Sequence, residues 1–144
     1  MSKNTVYTYN HDVPRLISNI ANWHHDRNLI HGATHNTQFI KLIEEVMELL
    51  ATITQMPAGE CVLYMKKLLD TLYETNRLKE PQGTNILDDV GDINVVLINL
   101  LERDGLSMQQ ALTKSWHDIK DRKGKMINGV FVKEADLPKE THAI

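Results

Sequence analysis

Glu44, Glu45 and Glu48 stand in the same spacing as Asp88, Asp89 and Asp92: each trio occupies positions i, i+1 and i+4. On a helix, at about 100° per residue, each trio falls within an arc of roughly 100°. Two segments would each present three carboxylates on one narrow face. Carboxylates crowded this closely repel one another and resist losing water, so away from solvent they need cations. Lys41 stands one turn before Glu45 and can pair with it. No basic residue lies between Lys79 and Arg103, so the second trio has no such neighbour. A divalent cation is the simpler counter-charge. Carboxylate oxygens from two helices make a hard-oxygen site suited to Mg²⁺ or Mn²⁺ rather than to zinc. A pair of solvated or interface faces is the other reading, and spacing alone leaves both open.

The elements that must position these groups are mostly helical. A first helix is expected to start near Asp12, with Pro14 in its first turn, and to run to about Leu29. Its apolar positions Leu16, Ile17, Ile20 and Trp23 recur at helical spacing. The glutamate helix spans about 37–53, with Phe39, Leu42, Ile43, Val46, Leu49, Leu50 and Ile53 as its apolar stripe. A third helix is expected over 60–79. The aspartate helix begins after Asn85, a plausible N-cap, and reaches Arg103. Its apolar residues between Ile86 and Leu101 point in nearly every direction, which predicts a helix central in its domain or buried at a subunit interface. A fifth helix opens on Ser107-Met108-Gln109-Gln110, a capping-box pattern, and ends near Arg122. Asn128-Gly129, flanked by apolar pairs, predicts a short hairpin over 126–133. The expected fold is all-α, a bundle of four to five helices with a C-terminal hairpin. The chain is read as a single domain, 1–144, with its core at about 12–133.

Other chemistries fit less well. Carboxylate–iron bundles need Glu-x-x-His on two helices, and no His follows Glu48 or Asp92 at that offset. His31 and His35 are four apart, but Gly32 interrupts a helix there, which argues against a zinc pair. A single cysteine, Cys61, excludes an internal disulfide framework. The 16 basic and 19 acidic residues give a net charge of −3, which argues against a nucleic-acid polymer or anionic membrane as partner. No apolar h-region opens the chain and no apolar run reaches about 18 residues, so the expected address is the cytoplasm.

The string Gln38-Phe39-Ile40-Lys41-Leu42-Ile43-Glu44-Glu45-Val46-Met47-Glu48-Leu49 resembles the EExxE helix of the MazG-like, all-α nucleoside triphosphate pyrophosphohydrolases. Asp89-Val90-Gly91-Asp92 resembles that family's second motif, ExxD, followed by an apolar run like Ile93 to Leu101. Trp23 and Arg27 lie upstream where such proteins often carry an aromatic and an Arg. The segments 115–126 and 128–133 look like those of phage and bacterial members. The resemblance covers roughly residues 15–133. Asp89 replaces the usual Glu, one methylene shorter, and the extra helix over 60–79 lengthens the gap between the motifs.

The resemblance implies a MazG-like fold and a hydrolase that cuts (d)NTPs between the α- and β-phosphates, releasing a monophosphate and pyrophosphate. It implies that Glu45, Glu48, Asp89 and Asp92 hold Mg²⁺, with Glu44 orienting or deprotonating the attacking water. A triphosphate carries several negative charges, so its entry into a carboxylate cleft independently calls for metal ions.

Candidate contacts to the substrate are Arg27, Lys41, Asn99 and the basic stretch holding Lys120, Arg122 and Lys123. Each has a plain alternative. Arg27 and Lys41 can be ordinary ion-pair partners, and the basic stretch suits a helix C-terminus. Asn99 extends the acidic stripe of its helix and should need a partner, whether nucleotide or side chain. Trp23 and Trp116 could stack on a base but are more often core. The apolar surface of the helices exceeds what a small bundle buries, which predicts a homodimer or homotetramer. A different class also stands: a non-catalytic dimerisation or regulatory module whose acidic faces bind a basic partner.

Overall fold

A computed structural model describes residues 11–139 of the chain. Five helices are followed by an antiparallel hairpin: α1 (Val13–Asp26), α2 (His35–Thr54), α3 (Ala58–Glu74), α4 (Leu87–Arg103), α5 (Met108–Ile119), β1 (Gly124–Ile127) and β2 (Val130–Lys133), with a single 3-10 turn at Glu134–Asp136. The fold is all-α with a terminal hairpin. None of these helices is long and apolar enough to cross a membrane.

The chain divides into two compact units. Among the described residues, one takes in 11–34 together with 86–139; the other is His35–Asn85.

In the first unit α1 packs on α5. Asp12 caps α1 by accepting from the Arg15 amide at 3.0 Å, and Pro14 sits in the first turn, where no intrahelical amide is needed. Leu16, Trp23, Leu29 and Thr113 form the buried centre. Ser107 caps α5 as its pattern predicts. Its hydroxyl accepts from the Gln110 amide at 3.2 Å, while the Gln110 side chain accepts from the Ser107 amide at 2.7 Å. The hairpin pairs Gly124 with Lys133 and Ile127 with Val130, so its turn is Asn128-Gly129, both with positive φ. A side chain at position 124 would run into the Val132 carbonyl and the Phe131 ring. Only glycine lets the two strands close there.

The second unit is the pair α2 and α3, joined by Gln55-Met56-Pro57. Cys61 is its one fully buried large side chain among the described residues. Its thiol donates to the Met56 carbonyl at 3.5 Å, and Thr54 ties the same loop by donating to Leu50 O and accepting from the Met56 amide.

Three helices end earlier than expected: α5 stops at Ile119 rather than near Arg122, and two others stop short of their apolar pattern. α1 stops at Asp26 rather than near Leu29, and α3 at Glu74 rather than Lys79. In both an asparagine turns left-handed after the cap, Asn28 at φ 57° and Asn76 at φ 55°. The next amide then reaches back five residues, Leu29 to His24 O and Arg77 to Leu72 O. This is a Schellman stop. Gly105 ends α4 in the same way.

Candidate functional site

Glu44, Glu45 and Glu48 are exposed on α2. Lys41 lies between the first two, 2.8 Å from Glu44 Oε2 and 3.1 Å from Glu45 Oε1. The pairing with Glu45 follows from spacing; the closer bond to Glu44 does not. The hydrogen bond to Glu44, with that to Glu45, raises the Lys41 pKa above its ordinary value, so the ammonium stays charged. Glu48 has no cation of its own among the described residues.

Asp88, Asp89 and Asp92 project from the first turns of α4, where the helix N-terminus favours negative charge. They too are exposed. Every residue from Leu87 to Val96 is exposed; only Leu97, Leu100 and Leu101 are half-buried along this helix. Within its own unit α4 is therefore not central, and the expected alternative, burial at a subunit interface, stays open. Apolar residues on all sides do not by themselves bury a helix; a neighbour must be there to receive them. Asn99 is likewise exposed, so the partner a buried amide would require is not demanded.

Within each unit, among the described residues, no three His, Cys, Asp or Glu side chains gather into a ligand set. What each helix does offer is a pair at i and i+3: Glu45 with Glu48, and Asp89 with Asp92. Such pairs lie one above the other on a helix, with about 5–6 Å between Cβ atoms. The donors of each pair are hard oxygens.

Arg27 and Trp23 serve the end of α5. The Trp23 indole donates to Ile119 O at 2.8 Å, and its ring meets Phe131 edge-on at 5.5 Å between centroids. The Arg27 guanidinium lies 4.5 Å above the same ring and donates through Nε to Arg122 O at 2.9 Å and through Nη2 to Lys120 O at 3.4 Å. Trp23 is thus core. Arg27 holds the backbone of the basic stretch by its carbonyls, satisfying groups a helix end leaves open. The side chains of Lys120 and Lys123 are exposed there and Arg122 is half-buried. Sequence reading missed this positioning role. The available signal was the i, i+4 spacing of Trp23 and Arg27, which stacks a guanidinium on an indole. Lys114 pairs with Asp118 at 2.9 Å, which lowers the Asp118 carboxyl below its usual range.

A stretch of 44 residues is 46% identical to part of an uncharacterized 18.2 kDa protein from the rep–hol intergenic region of Haemophilus phage HP1. That stretch is 31% of this chain and 27% of the phage protein, so the chain spans about a quarter of that relative's length. Its name states no activity. No protein-family model and no solved structure matches the chain.

Proposed function

We infer that this chain is a Mg²⁺-dependent (d)NTP pyrophosphohydrolase of the MazG-like type. The observation that supports this most is the repeated carboxylate pair, Glu45/Glu48 on α2 and Asp89/Asp92 on α4. The groups stay accessible, and only Lys41 pairs with the first set. Among the described residues, no ion pair or hydrogen bond other than that of Lys41 to Glu45 engages these four acids.

In this reading Glu45, Glu48, Asp89 and Asp92 hold the metal. Bound there, Mg²⁺ would supply neutralisation of the triphosphate oxygens and a more acidic water. Glu44 orients a water and takes its proton as the water oxygen bonds to the α-phosphorus and the α–β bridge breaks. Lys41 sets Glu44 beside Glu45 and offers a cation to the departing pyrophosphate. The cations of 120–123, held in place through Arg27, stabilise the same charge, since phosphoryl transfer depends on positioning and electrostatics more than on covalent chemistry.

The test is incubation with the eight common ribo- and deoxyribonucleoside triphosphates and Mg²⁺, measuring pyrophosphate and separating the nucleotide products. Monophosphate plus pyrophosphate is expected. Glu48→Gln and Asp92→Asn should lower turnover at least a hundredfold with far-UV circular dichroism unchanged. Normal hydrolysis by both variants would overturn the site, and a diphosphate product would mean that a different bond is cut. The exposure of both acidic faces favours one other reading, a module that docks a basic partner. Under it no triphosphate is consumed and EDTA changes nothing.

A further inference from the structure

Of the four acids proposed to hold the metal, Glu45 alone carries a cation among the described residues. Lys41 stands three residues before Glu44 and four before Glu45, and Glu48 stands four and three after them, so all four side chains share one face of α2. The Lys41 ammonium closes the N-terminal end of that face, with Nζ 2.8 Å from Glu44 Oε2 and 3.1 Å from Glu45 Oε1. Both contacts are made within a single helix. One ammonium is thus shared between an acid proposed to bind the ion and the acid proposed to take the proton from water. A carboxylate that already holds an ammonium is a poorer ligand for a dication, because two cations on one carboxylate repel each other.

We propose that Lys41 is a displaceable counter-ion of the metal site: it holds Glu45 in the absence of substrate and passes to the triphosphate when the substrate brings the ion. The proposal rests on the pyrophosphohydrolase reading above and adds to it an order of exchange. Lys41 and Glu45 form an i, i+4 pair on the surface of one helix, a kind weak enough to be exchanged. An ammonium is charged at neutral pH whether or not it is paired, so on leaving Glu45 it needs another anion. A triphosphate supplies one, and the flexible four-carbon stem of lysine lets Nζ turn to it. Glu45 is then left to the ion. The exchange makes ion and triphosphate bind better together than apart, a coupling between the two ligands. Among the described residues Glu48, Asp89 and Asp92 hold no cation that would have to leave, so the coupling is carried at Glu45.

Titration of the full chain with Mn²⁺ alone, following the free ion by electron paramagnetic resonance, tests the first half. Lys41→Met keeps most of the side chain's length and removes its charge. It should bind free Mn²⁺ roughly three- to tenfold more tightly than wild type, and Lys41→Arg should match wild type. Lys79→Met, a charge removed elsewhere in the same unit, should match it too. Equal affinity in wild type and Lys41→Met would overturn the proposal and leave the metal site standing. A gain shared by Lys79→Met would overturn it as well, since that would report net charge alone. Binding by none of the proteins would overturn the metal site itself. Turnover tests the second half. With Mg²⁺ saturating, KM for the triphosphate should rise about three- to tenfold in Lys41→Met, although the ion alone binds that variant more tightly, and Lys41→Arg should restore most of the loss. A variant that merely disturbed α2 would weaken both kinds of binding. An unchanged KM in Lys41→Met would overturn the passage to the triphosphate, and a wild type without turnover would overturn the reading on which it rests.

Discussion

Arg27 shows how one side chain can tie two distant parts of the chain. Its guanidinium stacks on Trp23 and donates to two carbonyls more than ninety residues away. Arg27→Ala removes the stacking and leaves a part-buried carbonyl short of a donor, so it should destabilise by about 2 kcal/mol in urea titration. Arg27→Lys should restore little of this, because an ammonium has no planar face to stack and no fork to span two carbonyls. His24, which meets Trp23 edge-on, gives a pH dependence. Burial holds its pKa below the ordinary value of about 6.5. The unfolded chain then takes up a proton that the native chain refuses as pH falls below about 6.5. Stability should drop through that window and level off below the lowered native pKa. Urea midpoints at pH 7.5 and 5.5 should differ for wild type and converge for His24→Gln.

At the scale of elements, caps and stops determine where helices begin and end. Ser107 and Asp12 stand where their patterns place them, since a cap is a local bond among residues three apart. The stops at Asn28 and Asn76 were not read. The apolar rhythm continues past them, and an asparagine signals a left-handed turn less loudly than a glycine does. Ser107→Ala should cost about 1 kcal/mol. Asn76→Ala should cost a similar amount by forcing a Cβ-bearing residue without a polar side chain to φ > 0, whereas Asn76→Gly should be neutral or stabilising. Differential scanning calorimetry on the three variants distinguishes cap from stop.

For the whole molecule, the proposed metal site predicts a stability that depends on the ion. A metal that binds only the folded chain must stabilise it by mass action, by about 2.7 kcal/mol at a hundredfold excess over Kd. Mg²⁺ should therefore raise the Tm of wild type. Glu48→Gln and Asp92→Asn should lose most of that rise while melting no lower than wild type in EDTA, because each relieves repulsion within its acidic trio. A Tm indifferent to Mg²⁺ in all three proteins would argue for acidic docking faces instead.

The five helices, the Ser107 capping box and the hairpin turn at Asn128-Gly129 were determined by the sequence alone. Each rests on a local period or on bonds between residues a few positions apart. The same holds for the two carboxylate trios, whose grouping on one face follows from spacing. Tertiary structure alone decided that Trp23 is core, that Arg27 grips the end of α5, and that α4 stands exposed over its first ten residues. Those outcomes depend on which surfaces meet. A side chain's own segment states how it is directed around the helix, but not what waits on that side.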